Sequence, residues 1–93
     1  MDKKYILEQM RHEIDVADKK LLEALAERME VVKKVGLYKK ERDILPLDPK
    51  RWQEVLEDKL AKGNDLDLSQ DLVREIYEKI HKHALILEER SNK

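Results

Sequence analysis

The chain has 93 residues, no cysteine, no phenylalanine, one tryptophan and three tyrosines, and 44% of it is charged for a formal net charge of only −1. Its length lies near the lower limit for a self-sufficient core, and without cysteine neither disulfides nor thiolate metal sites can add stability. The balanced charge argues against a nucleic-acid binder, no apolar run approaches the roughly 20 residues of a membrane span, and the opening MDKKYILEQM lacks the apolar core of a signal peptide.

A core left to Leu, Ile, Val, Ala and Met suits helices better than a sheet. The expectation is an all-α, cytoplasmic protein, one domain over residues 1–93, with one very long helix and two shorter ones. The first runs from about 3 to 42, free of proline and containing a single glycine, Gly36. Asp43-Ile44-Leu45-Pro46-Leu47 breaks it. Asp48 then reads as an N-cap, with Pro49 at the first helical position of a second helix over about 49–62. Gly63-Asn64 supplies a left-handed stop, and a third helix, opening at Asp67 or Ser69, covers about 69–90.

The first helix decides the architecture. Alternating steps of three and four give Leu7, Met10, Ile14, Ala17, Leu21, Ala24, Arg28, Val31, Val35 and Tyr38, a heptad seam with one cationic intruder. Forty helical residues span roughly 60 Å, whereas a compact domain of this size has a radius of gyration of about 12 Å. The two shorter helices cannot cover such a rod. A second copy of the chain must bury part of the seam, which predicts an intertwined helical homodimer.

Arg28 is the most informative residue, because a guanidinium in a core slot is costly unless it is paired or given an anion. In an arbitrary coiled coil it would meet Asp18, Glu27 or Glu30 of a partner. Lys39, eleven residues on, returns to nearly the same face about 16 Å away, close enough for both long side chains to converge on one small anion. Arg11 lies seventeen residues before Arg28, about 25 Å along the helix. A two-fold axis near residue 20 would bring Arg11 of one chain to Arg28 of the other. Arg51 falls in the first turn of the second helix, where free N–H groups and the helix dipole favour anions. Each cation alone reads as a surface charge; four that one dimer can gather suggest a small dicarboxylate ligand. His81 and His83 point to different helix faces and read as solvated, His12 has no partner at ligand spacing, and no metal site is expected. Trp52 reads as core or rim packing.

These residues carry a resemblance. RHEIDVADKKLLEALAERMEVVKKVGLYKK resembles the first helix of the all-helical (AroQ-class) chorismate mutases, with R-x-x-I-D-x-x-D, L-x-x-L-x-x-R and a lysine eleven residues later. LDPKRWQEVLE resembles the start of that family's second helix and KHALILEER its third. The resemblance implies an interlocked dimer converting chorismate to prephenate in aromatic amino acid biosynthesis, without a cofactor. Residue by residue, it implies that Arg28 and the other subunit's Arg11 bind the two carboxylates of chorismate, and that Lys39 contacts a carboxylate and the ether oxygen. Asp48 and Arg51 would border the pocket near the ring hydroxyl, and Glu88 would hydrogen-bond the ether oxygen.

Two positions depart from the family pattern. Trp52 stands where a glutamate usually accepts the ring hydroxyl's hydrogen bond, and indole only donates. Ala84 replaces a frequent serine. Isochorismate-pyruvate lyase, which shares the fold, is the nearest alternative activity, although Asp48 and D-P-x-R look more like a mutase. A non-catalytic helical module that partners another aromatic-pathway enzyme is the alternative from a different class, and Arg28 within the seam argues against it.

Overall fold

The computed structural model describes residues 2–90 in full and Ser91 by its backbone. Among the described residues there are three α-helices and no strand: α1 (Lys3–Glu41), α2 (Pro49–Asp65) and α3 (Gln70–Ser91). None of them is long and apolar enough to cross a membrane. The chain divides into two compact units, the first ending at Val31 and the second beginning at Val32. The first unit consists of most of α1; the second holds the last turns of α1 with α2 and α3.

Both ends of α1 are capped by aspartates. The Asp2 carboxylate accepts the Lys4 N–H at 3.0 Å, satisfying one of the free donors of the first turn. At the other end Asp43 adopts φ 54°, and the Ile44 N–H reaches back to the Lys39 carbonyl at 2.8 Å while the Asp43 N–H reaches that of Lys40. That pair of bonds is a Schellman closure, with aspartate in the left-handed position glycine usually takes. Within the first unit the seam lies open: Leu7, Met10, Ile14 and Leu21 are 46%, 54%, 59% and 64% exposed. The same helix face continues through Leu25, Arg28, Met29 and Val32 to Gly36 and Lys39, which are half-buried or buried.

α2 starts as its sequence dictates. Asp48 has extended backbone angles, its carboxylate accepts the Arg51 N–H at 3.1 Å, and Pro49 stands in the first turn, where its missing N–H costs nothing. The expected stop at Gly63-Asn64 is overturned: α2 continues to Asp65, and no glycine has a positive φ. The left-handed residue is Asp67, at φ 58°, closed by the Leu68 N–H on the Gly63 carbonyl and the Asp67 N–H on that of Asn64. Ser69 caps α3 through the Leu72 N–H, and the Gln70 side-chain amide donates to the Leu60 carbonyl at 2.8 Å, tying the start of α3 to α2.

Gly63 serves packing instead. A Cβ built on it would lie 2.7 Å from Val73 Cγ2, and Val73, 5% exposed, belongs with Leu56 and Ala84 to the small core between α2 and α3. A β-branched side chain has few rotamers with which to yield. Gly63→Ala is therefore expected to lower unfolding stability by about 1–3 kcal/mol, despite alanine's better helix propensity of about 1 kcal/mol. Val73→Ala in the same chain should narrow the difference that Gly63→Ala makes. A denaturation midpoint unchanged by Gly63→Ala alone would rule out the close approach.

On the open surface of α2, hydrogen bonds first from Lys59 and then from Lys62 hold the Asp58 carboxyl below the usual carboxylate range. The folded chain binds this proton less tightly than the unfolded one. Whatever the cluster adds is thus present above the unfolded-state ionisation and lost as pH falls through the folded-state one. Asp58→Asn is expected to lower the melting temperature slightly at neutral pH and not at all in strong acid, a contrast that thermal scans at the two pH values would measure.

Candidate active site

The second unit brings together two residues far apart in the chain. Lys39, in the last turn of α1, places its Nζ 3.0 Å from Glu88 Oε1, with side chains only 19% and 8% exposed. The same ammonium donates to the Pro46 carbonyl at 2.7 Å, and the Lys39 carbonyl accepts the Ile44 N–H. Lys39 thus fastens the 43–47 connection at both its backbone and its side chain. Glu88 Oε1 is fully shielded from solvent and makes no aligned hydrogen bond; its contact with Lys39 is an ion contact at hydrogen-bonding distance with poor alignment. A carboxylate buried with an incompletely satisfied oxygen is costly in a merely structural role.

Ala84, buried at 8% exposure, lies one turn before Glu88 on the same face of α3, and its methyl leaves that wall without a polar group. Lys34, Val35, Tyr38, Lys39 and Ile44 line a groove of about 340 Å³, two of them seam positions and two of them lysines. The Arg42 guanidinium lies over the Tyr38 ring, 3.8 Å from its centroid, a cation–π contact that keeps the ring in place. The surface of this groove is almost wholly apolar, the two lysines contributing their alkyl stems to it.

The first turn of α2 supplies Asp48, Arg51 and Trp52. Asp48 spends one carboxylate oxygen on its cap. The Arg51 side chain is 70% exposed and 4.0 Å from the Glu54 carboxylate. Trp52 is half-buried and stacks on His81 of α3, ring centroids 4.0 Å apart and planes 11° from parallel. The reading of His81 as solvated is thereby overturned, and Trp52 is held in a specific ring pair that joins α2 to α3. The spacing His81, Ala84, Glu88, in steps of three and four, was the signal that these three share one face; exposed His83 lies off it.

In the first unit Arg11 is exposed on α1, while Arg28 is half-buried and its Nη1 is shielded from solvent with no hydrogen-bond partner among the described residues. A guanidinium nitrogen buried without an acceptor lacks the anion that would offset its desolvation.

Comparison with curated proteins returns no match. The model of the chorismate mutase type II family matches residues 10–89, a span that takes in Arg11, Arg28, Lys39, the α2 cap and Glu88. With its three helices and a buried lysine–glutamate pair at the positions that the sequence motifs single out, the chain belongs to the chorismate mutase type II family.

Proposed function

We propose that the protein is a chorismate mutase that converts chorismate to prephenate in phenylalanine and tyrosine biosynthesis, acting in the cytoplasm as an intertwined homodimer of one domain per chain. The observation that carries this reading is the buried Lys39–Glu88 pair within a match to the family over residues 10–89. The orphaned Nη1 of Arg28 and the open seam of α1 support a site completed by a dianionic ligand and a second copy of the chain.

The reaction breaks one C–O bond and forms one C–C bond within a single molecule, so it needs no nucleophile, external base or cofactor. What it needs is a folded conformer and stabilisation of negative charge growing on the ether oxygen. Arg28 and the partner copy's Arg11 grip the two carboxylates through planar forks. Lys39 donates to the ether oxygen, and Glu88 does so when protonated. Asp48 and Arg51 border the ring side, with Trp52 and Ala84 forming the apolar part of that wall.

Purified protein should consume chorismate, read as loss of its absorbance, with prephenate as product. Stable absorbance at micromolar protein would overturn the reading. Salicylate and pyruvate formed from isochorismate, without prephenate from chorismate, would instead favour the lyase, a reading to which Trp52 lends some weight because it leaves no acceptor at its position. Sedimentation equilibrium should give twice the chain mass of 11.1 kDa. A folded species at the single-chain mass would exclude the dimer.

A further inference from the structure

The Trp52–His81 pair joins α2 to α3, and His81 has no role in the chemistry above. Trp52 is fixed from its own side. Its N–H donates to the Asp48 carbonyl at 2.9 Å, inside a first turn that the Asp48 carboxylate also caps. The indole therefore leaves α2 from a well-ordered backbone. Its remaining freedom, rotation of the ring, is removed by His81 at 4.0 Å and 11° from parallel. His81 in turn belongs to the α3 face of Ala84 and Glu88. At 1.5 Å per residue it stands about 10 Å along that helix from Glu88, with the small side chain of Ala84 between them. A small ring held by Lys39 and Glu88 and lying along this face would meet the stacked pair at its other end.

We infer that His81 is a positioning residue of this site: by stacking on Trp52 it holds the indole as a fixed wall opposite the Lys39–Glu88 end, and so sets which ring-bearing carboxylates fit. The inference rests on the chorismate reading of the site. It assigns His81 a role through the shape and rigidity of the pair, not through proton transfer. Phenylalanine at position 81 can keep the stack, since two flat rings in offset contact need no ring nitrogen, whereas alanine cannot.

Trp52 is the only tryptophan, so its emission reports the pair directly. The experiment compares wild type, His81→Ala and His81→Phe by tryptophan emission, circular dichroism and steady-state turnover of chorismate. In His81→Ala the emission should shift to the red as one indole face meets water. kcat/KM should fall about tenfold, mainly through KM, as expected for a wall that holds bound substrate and transition state alike. His81→Phe should restore both emission and kcat/KM to within about twofold. Loss in His81→Phe as large as in His81→Ala would overturn the inference in favour of direct imidazole chemistry. Unchanged kcat/KM in a folded His81→Ala would overturn it outright. A wild type that turns over no chorismate, with the emission pattern still as described, would overturn the chorismate reading and leave the stack a packing contact only.

Discussion

Mixing Arg11→Ala and Arg28→Ala subunits, each nearly inactive alone, is expected to recover about a quarter of wild-type activity. Random exchange makes half the dimers mixed, and each mixed dimer then holds one intact site and one lacking both arginines. The expectation follows from α1. The helix is unbroken from Lys3 to Glu41, so two residues seventeen apart stand about 25 Å from each other and cannot grip one small molecule. The Nη1 of Arg28 is buried without a partner, while Arg11 is exposed on a helix whose apolar seam is open. Each single substitution removes a charge-assisted fork on a carboxylate and is expected to lower kcat/KM by more than a hundredfold. Exchange is driven by gentle denaturation and verified by mass-tagged subunits. No recovery after proven exchange would mean that Arg11 acts within its own chain or does not act on the substrate.

The second large effect concerns Lys39 and Glu88. Lys39→Met is expected to lower kcat/KM about a hundredfold or more, as for loss of one donor to a developing oxyanion. It is also expected to destabilise the fold by about 3 kcal/mol, because it strands the Glu88 carboxylate in a buried site. Lys39→Met/Glu88→Gln should regain most of the stability, having no stranded charge, and none of the activity. Recovery of turnover by the double variant would remove Lys39 from the chemistry. Glu88→Gln alone tests the other partner. As an ion paired with Lys39 at 3.0 Å, the carboxylate only accepts and repels charge on the ether oxygen; protonated, it donates. Glu88→Gln, whose uncharged amide donates, is therefore expected to raise kcat/KM several-fold. An unchanged kcat/KM would exclude Glu88 as a donor to the substrate.

Much of this protein is legible along the chain because the relevant forces are local. Helix periodicity, the Asp48-Pro49 start and the break at 43–47 follow from backbone hydrogen bonding and the constraints of proline within a few residues. The expectation of a second copy rests on a rod too long for its own chain to cover, and the family motifs stand at fixed intervals on α1. Where α2 stops was not legible. Gly63 looks like a terminator from its neighbours, yet it lies in helix because Val73, ten residues on, needs the space a side chain would fill; Asp67 takes the left-handed turn instead.

The site divides in the same way. Spacing nominated Lys39, Arg28, Arg11 and Arg51, because cations on one helical face or at a helix start can be found by counting residues. Only the tertiary structure decided that Lys39 meets Glu88 and the Pro46 carbonyl, and that Trp52 stacks on His81. The Lys39 contacts join α1 to α3 and to the connection that follows α1, and the ring pair joins α2 to α3, whose close approach depends on a missing methyl at Gly63. Local sequence determines the helices and the charges they carry; close packing between helices determines which of those side chains meet.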